Sequence, residues 1–224
     1  MNNLKDYREK ELKMYIIANI FIMILLNNDF ELMKIQENWF YLIVKLTGTT
    51  LVSASIYIFV YLADSIFSSE LKSKLLYFMG HQPGEKIFST ISHSSKDLRF
   101  TTERVKSRYK DIYDNMPNNQ KDRYKYENDK WYEIYNKYRD IGMIHFSNRD
   151  YLLCRDMYIS TVALILSYTI LSVFTKNIEL EWNAILYLII MLLITNISYR
   201  VKRKRFVYNV LAHDLHDQNV NVNK

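Results

Sequence analysis

The feature that most constrains the fold is a long apolar stretch at residues 39–67, WFYLIVKLTGTTLVSASIYIFVYLADSIF. Between residues 39 and 63 it contains one charged residue, Lys45, and no proline. An α-helix rises 1.5 Å per residue, so about 20 residues cross the roughly 30 Å hydrocarbon core of a bilayer. A helix buried in a soluble protein rarely stays this apolar for so long. We therefore interpret the stretch as a membrane-spanning helix.

Charge and apolar character are strongly segregated along the chain. The apolar runs are 14–26, 39–63, 157–174 and 182–197, and the charged residues concentrate in 68–156 and 199–217. Only 4 Gly and 2 Pro occur in 224 residues, which indicates an almost wholly helical protein. We predict an all-α integral membrane protein with four transmembrane helices, arranged as a hairpin at 1–67, a cytosolic helical domain at 68–156, a second hairpin at 157–198 and a basic cytosolic C-terminal helix at 199–224.

The distribution of charge predicts the orientation. The run 200–205 places five cations in six residues directly after an apolar segment, a strong signal for the cytoplasmic side. The segment 68–156 has 17 Lys and Arg against 13 Asp and Glu, and we place it on the same side. Trp39 and Trp182 open two of the spans, where interfacial tryptophans are common. We expect a multi-pass protein of the bacterial inner membrane with both termini in the cytoplasm.

The segment between the hairpins is predicted to be a helical bundle. We expect a short helix at 85–91, a helix capped by Thr101 or Thr102 that ends at Pro117, and a longer helix at 119–141 that ends at Gly142. Asn148 is a candidate cap for the third span. The buried positions are expected to be Val105, Tyr109, Ile112 and Met116 in one helix and Tyr124, Trp131, Ile134, Tyr138 and Ile141 in the other.

A polar stripe follows the predicted second span. Its residues are three or four positions apart and so share one helix face: Lys45, Thr49, Ser53, Tyr57, Tyr61 and Asp64. One interpretation is a water-filled path with charged ends. The other, which the intervening apolar residues favour, is helix packing through small polar side chains, with support from Ser160, Ala163 and Ser167 in the third span.

Tyrosines alternate with cations in the cytosolic segment, as in SRYKDIYDN and KDRYKYENDKWYEIYNKYRD. Aromatic residues among cations can bind single-stranded nucleic acid or a nucleotide. The tyrosines on predicted buried faces and the interspersed acids favour an oligomer-forming bundle instead. The basic run Arg200, Lys202, Arg203, Lys204 and Arg205 has the same two interpretations, contact with anionic lipid being favoured over RNA or nucleotide.

Enzyme chemistry has little support in the sequence. Arg139 and His145 fit the loose Arg-x4-6-His pattern of HEPN ribonucleases, but Gly142 interrupts the helix that should hold both. His213, Asp214, His216 and Asp217 could collect a metal, although a solvated helix end is the simpler interpretation. No Walker loop, dinucleotide fingerprint or zinc-protease motif is present, so we expect no cofactor and no metal. The single cysteine, Cys154, excludes an intramolecular disulfide.

This arrangement of paired spans around a cytosolic helical segment resembles membrane accessory and effector proteins of prokaryotic antiviral systems, including those that accompany type VI-B CRISPR nucleases. The resemblance covers the layout of the whole chain and carries over no catalytic residues. It implies a membrane-disrupting or pore-forming homo-oligomer controlled from the cytosol by a partner or ligand. The alternatives are a membrane-tethered scaffold that recruits a soluble partner, such as a nuclease, without conducting ions, and a membrane-bound ribonuclease built on Arg139 and His145.

Overall fold

A computed structural model describes residues 2–26, 82–93, 97–174 and 180–222, with Thr47, Thr50, Ala54, Tyr57 and Ile58 as single positions. Within these ranges the structure is helical and contains no strand, which confirms the all-α part of the predicted fold class. The helices are α1 Asn2–Leu26, α2 Ile87–His93, α3 Thr102–Arg108, α4 Lys110–Asp114, α5 Gln120–Tyr138, α6 Gly142–Phe174 and α7 Trp182–Val222.

The chain divides into two compact units, and the divisions fall inside α6 and α7. Unit 1 contains Met1–Glu70 and Leu152–Tyr199, and unit 2 contains Leu71–Tyr151 and Arg200–Lys224. The first half of α7 therefore belongs to the apolar unit, and the second half to the unit that carries most of the charge.

Unit 1 has a core formed by α1, α6 and α7. Every third or fourth residue along one face of α1 is buried, which is the spacing of one helix face. The core consists of Leu12, Ile16, Ile20, Met23, Ala163, Leu164, Tyr168, Ala184 and Leu188. Tyr57, the one member of the predicted polar stripe that the structure describes, is half-buried and packs against this core.

Two of the described helices, α6 and α7, are long and apolar enough to cross a membrane by length and composition. The prediction of four spans is therefore supported for two of them, the third in α6 and the fourth in α7. The predicted second span, 39–67, lies outside the described residues apart from the five single positions. The predicted first span, 14–26, is the apolar half of α1, whose other half is charged.

Unit 2 begins with short helices whose ends follow from the sequence. Thr101 caps α3 by accepting a hydrogen bond from the Arg104 amide at 3.3 Å, and Asn119 caps α5 by accepting one from the Lys121 amide at 3.2 Å. The helix predicted to run from Thr101 to Pro117 is instead two, because Tyr109 leaves helical geometry (φ −106°, ψ 26°). The Tyr109 side chain is buried, as its helical spacing predicts.

The prediction that Asn148 caps the third span is wrong. The helix α6 runs without interruption from Gly142 to Phe174, and Asn148 lies inside it. Its amide donates to the Tyr135 hydroxyl at 3.0 Å, so this side chain joins α6 to α5 rather than starting a helix. Gly142 does separate α5 from α6, as expected, but it does so as the first residue of the second helix.

The second half of α7 forms the centre of unit 2. Its residues are buried almost without exception and on all sides: Phe206, Val207, Tyr208, Asn209, Val210, Leu211, Ala212, Asp214 and Leu215. Aromatic rings from α5 and α6 surround Phe206, whose ring centroid lies 5.2 Å from those of Trp131 and Tyr135 and 5.7 Å from that of Tyr151. A helix buried all round is a core helix, so unit 2 is built around this end of α7.

Gly84 brings the backbone of residues 82–86 close to α5. A Cβ at this position would lie 2.6 Å from the Trp131 Cβ and 3.0 Å from the Asn128 Cα. The Asn128 side chain fixes the approach by accepting from the Gly84 amide at 3.1 Å and donating to Gln82 at 2.9 Å.

We predict that Gly84→Ala lowers the stability of unit 2 by about 1–3 kcal/mol, the usual effect of forcing an extra methyl group into a packed site. The measurement is the unfolding temperature of the detergent-solubilised protein. Gly142→Ala is the matched control, because a Cβ there would meet only Phe146, at 3.9 Å. Equal unfolding temperatures for Gly84→Ala and the unaltered protein would contradict the close approach.

Candidate functional site: a buried ionic cluster beside a cavity

The best-defined polar site in unit 2 is centred on Asp214, near the end of α7. Arg108 donates to both carboxylate oxygens, from Nε and from Nη2, each at 3.1 Å. The Tyr109 hydroxyl also donates to the carboxylate, at 2.9 Å, and the Tyr138 hydroxyl lies 3.0 Å from Asp214 and 3.2 Å from Asp217, so its one proton is shared between the two carboxylates. Asp214 is 1% exposed, so these donors replace the water that the carboxylate would otherwise bind. Arg104 adds a hydrogen bond to the Leu215 carbonyl oxygen.

The electrostatics of this cluster favour neutral tyrosines and a charged arginine. Burial raises the pKa of Tyr109, and the neighbouring negative charge of Asp214 raises it further. The pKa of Tyr138 is raised for the same two reasons. Hydrogen bonds to Asp214 raise the pKa of Arg108. The cluster therefore holds one ion pair and two neutral hydroxyl donors, and neither hydroxyl is an activated nucleophile or a general base near neutral pH.

A cavity of about 490 Å³ opens beside the cluster, within the size range of small-molecule sites. One side is formed by Arg108, Tyr109 and Asp214 together with the short helix α4. The other side is one face of α5, made of Tyr126, Lys130, Glu133, Ile134 and Lys137. The Lys130 ammonium donates to Glu133 at 2.8 Å, so cations and acids alternate around the cavity.

A second polar site joins α2 to α5 through Glu127, which is fully buried. Its carboxylate accepts from the Ser89 amide at 3.0 Å and from the Ser89 hydroxyl. Tyr113 lies close by and donates to the Phe88 carbonyl at 3.1 Å. Burial, with a smaller contribution from the charge of Glu127, raises the pKa of Tyr113.

A larger cavity, of about 740 Å³, lies at the start of α5. Its wall consists of four amide side chains, two lysines, the carboxylates Glu85 and Asp129, and Tyr124. Several of these amides are engaged within the protein, since Asn119 caps α5 and Asn128 holds the Gly84 turn. This cavity therefore presents mainly hydrogen-bonding groups that already have protein partners.

The structure leaves most of the predicted pore stripe undescribed. Lys45, Thr49, Ser53, Tyr61 and Asp64 lie outside the described residues, and only Tyr57 is placed, against the unit 1 core. In the third span, by contrast, the small residues expected to pack closely are all buried: Ser160, Ala163 and Ser167. The choice between a water-filled path and helix packing along the second span remains a prediction.

Arg139 and His145 lie in different helical segments. Arg139 ends α5, and its side chain is 61% exposed beside Asp140, with Nε 3.8 Å from the carboxylate. His145 is in the first turns of α6, where its amide donates to the Ile141 carbonyl at 2.8 Å. The ribonuclease pair therefore stays a prediction that no feature of its surroundings strengthens.

The basic run is placed along α7 at the start of its unit 2 half. Lys202 pairs with Asp150 of α6 at 2.9 Å, and the Lys204 ammonium lies 5.4 Å from the centre of the Tyr208 ring. Arg200, Lys204 and Arg205 are exposed, whereas Lys202 and Arg203 are partly covered.

The four residues considered for a metal do not converge. Asp214 points into unit 2 and is engaged by three side chains, while His216 and Asp217 are exposed. His213 packs its ring 4.8 Å from that of Tyr138. Among the described residues, no group of three or more His, Cys, Asp or Glu side chains is arranged to hold a metal ion.

Sequence reasoning missed a polar cluster inside unit 1. The Tyr15 hydroxyl is 2.7 Å from the Thr161 hydroxyl, the Asn19 amide donates to the Tyr15 carbonyl at 2.7 Å, and the Tyr187 hydroxyl donates to Asn19 at 2.8 Å. These contacts link α1, α6 and α7. A signal was present, because Asn19 is the one amide inside the apolar run of α1, and a polar residue in such a run usually has a partner on another helix.

We predict that Asp214→Asn destabilises unit 2 by about 3 kcal/mol, because it leaves Arg108 without its charge partner. This is the lower end of the usual range for a broken buried pair, since the Arg108 side chain is 28% exposed. Asp129→Asn, at an exposed position of α5 away from the cluster, is the control and should change the unfolding temperature little. Similar shifts for the two variants would show that the Asp214 cluster does not stabilise unit 2.

The raised pKa values of Tyr109 and Tyr138 predict loss of stability at alkaline pH. Tyrosines in the unfolded chain ionise near pH 10, whereas these two stay protonated in the folded protein to higher pH. Their contribution is therefore complete below pH 10 and is lost as the pH rises above it. The double variant Tyr109→Phe, Tyr138→Phe should start less stable but lose less between about pH 9 and pH 11. Parallel pH profiles for the two proteins would contradict this assignment.

Comparisons of the chain with protein-family models, curated proteins and solved structures found no match.

Proposed function

We propose that this chain is a four-span protein of the bacterial inner membrane that assembles into a homo-oligomer and acts as an effector or channel. In this proposal unit 1 lies in the bilayer, and unit 2 lies in the cytoplasm, where it responds to a partner or ligand. The assignment to antiviral defence is part of the proposal and rests on the resemblance of the two-plus-two layout to membrane effectors of prokaryotic antiviral systems.

The observation that carries the membrane proposal is the apolar outer surface of unit 1. In α7 one face is buried against the core, and the opposite face is aliphatic and exposed: Leu186, Ile189, Ile190, Leu193, Ile194 and Ile197. α1 and α6 also expose large apolar side chains: Met14, Ile17, Phe21, Leu25, Leu166, Ile170, Val173 and Phe174. Soluble proteins seldom expose contiguous apolar surface on this scale, whereas hydrocarbon covers it at no cost.

The polar cluster of unit 1 supports an oligomer over a channel through one copy. Tyr15, Asn19 and Tyr187 are hydrogen-bonded to one another or to neighbouring helices, so within the described part of unit 1 they are occupied in holding helices together. A conducting path is therefore better formed by surfaces of adjacent copies or by the second span.

Three structural features of unit 2 support the proposed sensing role. It has its own core around α7, a buried ion pair, and a cavity of about 490 Å³ that reaches the ion pair. A ligand in this cavity would touch residues of α3, α4, α5 and α7 together, because all four contribute to its wall.

The second candidate function is a membrane-tethered scaffold that recruits a soluble partner without conducting ions. The same internally satisfied polar cluster favours it, since a tether needs a stable helical anchor and no aqueous path. The two candidates share the membrane anchor and differ in whether expression changes the permeability of the membrane.

The membrane anchor is tested by a charge at the middle of the exposed α7 face. Leu193 is 59% exposed, and we predict that Leu193→Lys reduces the fraction that stays in membranes after alkaline carbonate extraction. A lysine at the centre of a span costs about 2.5–3.5 kcal/mol. Asn136→Lys, at an exposed position of α5, is the control and should remain membrane-bound. Recovery of the unaltered protein in the carbonate supernatant would contradict a membrane-spanning unit 1.

The effector function is tested by membrane potential and dye entry in cells that express the protein. The proposal predicts depolarisation and uptake of an otherwise excluded dye, and it predicts that Asn19→Leu reduces both by weakening the contacts among α1, α6 and α7. Membrane insertion without any change in potential or dye uptake would favour the scaffold over the channel.

A further inference from the structure

The turn at residues 97–100 holds one leucine fully in solvent. Leu98 is completely exposed, whereas Phe100, two residues later, is 5% exposed. An isolated exposed leucine is common on protein surfaces and by itself does not indicate a binding site. Leu98 differs from such an isolated leucine in two ways. Hydrogen bonds hold its turn in place, and cations of α7 lie beside it.

The turn is fixed on both sides of Leu98. Arg99 donates to Asp97 from Nε at 2.9 Å, from Nη2 at 2.6 Å and from its amide at 3.1 Å. The same guanidinium reaches α7 and donates to Asn209 at 2.8 Å. The Phe100 ring stacks on Tyr208, with centroids 6.0 Å apart. Leu98 is therefore presented by an anchored turn and not by a loose loop.

The turn lies beside the basic run of α7. Tyr208, on which Phe100 of the turn stacks, also contacts this run: the Lys204 ammonium lies 5.4 Å from the centre of the Tyr208 ring. The pKa of Asp97 is lowered, mainly by the hydrogen bond from Arg99 and in smaller part by the charge of Lys204. Asp97 is already matched by Arg99, so the cations of α7 give this surface its positive sign.

The exposed part of the α7 basic run completes the surface. Arg200, Val201, Lys204 and Arg205 are all exposed. Val201 is three residues from Lys204 and four from Arg205, and Arg200 is four from Lys204, so these pairs are neighbours on the helix surface. An apolar side chain among cations is the combination that binds an anionic bilayer surface, where the leucine enters the headgroup region and the cations meet phosphates.

We propose that Leu98, Val201, Lys204 and Arg205 form a surface that docks unit 2 onto the anionic cytoplasmic leaflet. The inference rests on the proposed membrane location and adds a second contact with the bilayer, made by the cytosolic unit itself. Charge complementarity selects anionic lipid over a second copy of the chain, because two copies of a positive surface repel each other.

The single native cysteine allows a direct test in the full-length protein. Leu98→Cys in a Cys154→Ser background carries one thiol for an environment-sensitive fluorophore, and the labelled protein is reconstituted into vesicles of phosphatidylcholine alone or with phosphatidylglycerol. We expect blue-shifted emission and quenching by a lipid with a nitroxide near the headgroup, both stronger with phosphatidylglycerol. A label at Asn136→Cys, an exposed position of α5, should report water in both lipids.

Lys204→Gln with Arg205→Gln tests the electrostatic part. Each cation near an anionic surface strengthens binding to anionic lipid about fivefold. In the double variant, the preference of the labelled turn for vesicles with phosphatidylglycerol over phosphatidylcholine alone should therefore fall by an order of magnitude or more. Vesicle flotation separates this proposal from the membrane proposal. If the protein floats with vesicles and the label at position 98 reports water, docking is overturned and the membrane anchor stands.

If the protein does not float, both proposals fail. Lipid docking is also overturned if the blue shift is equally strong in detergent micelles and in both vesicle types, and disappears when the micelles are diluted with empty micelles. That result would assign the surface to contact with a second copy of the chain.

Discussion

The uncovered aliphatic face of α7 is the constraint on which the rest of the structure depends. Along residues 186–201 this helix has a core-facing side and an opposite side that no described residue buries. Beyond the basic run the same helix is buried on all sides within unit 2. A helix of 41 residues is about 60 Å long, twice the thickness of a hydrocarbon core. In the proposed membrane location, this one helix is long enough to cross the bilayer and to continue into the cytoplasm.

The two halves of α7 handle polar groups differently. In unit 1 the α7 residue Tyr187 belongs to a cluster of neutral groups with Tyr15, Asn19 and Thr161. The buried charge of that unit, Asp156, lies on α6 and is paired with Arg8 and Arg155. In unit 2 a full charge is buried at Asp214, where Arg108 neutralises it and two tyrosines complete its hydrogen bonds. Ion pairs of this kind add little net stability but make the loss of either partner costly, so they define which side chains must meet.

The local features of the fold were predictable where short-range chemistry decides them. The cap at Thr101, the start of a helix at about Asn119, and the buried positions Val105, Trp131 and Ile134 follow from residue type and helical spacing. The break at Tyr109 was not predictable from spacing, because the apolar stripe continues through it. At this break the Tyr109 hydroxyl donates to Asp214, a residue 105 positions away. Contacts between residues so far apart in the sequence do not change the local spacing of apolar residues, so that spacing cannot predict them.

The candidate site shows the same limit. The sequence favours a solvated helix end for Asp214 because histidines three residues apart, His213 and His216, are usually solvated on such an end, and His216 and Asp217 are indeed exposed. Only the tertiary arrangement of α3 and α5 makes Asp214 a buried centre. Of the positions predicted to be buried in these helices, Val105, Tyr109, Trp131 and Ile134 are buried. The prediction is wrong for the others, which are only partly buried: Ile112, Met116, Tyr124, Tyr138 and Ile141.

Thiol accessibility along α7 tests the central claim most directly. Single cysteines at Leu193 and at His216, each in a Cys154→Ser background, would be exposed to a membrane-impermeant maleimide in intact spheroplasts and in inverted vesicles. If unit 1 lies in the bilayer, position 193 should not react from either side, and position 216 should react only in inverted vesicles. Rapid reaction at position 193 in the absence of detergent would show that this face of α7 lies in water, and would contradict a membrane-spanning α7.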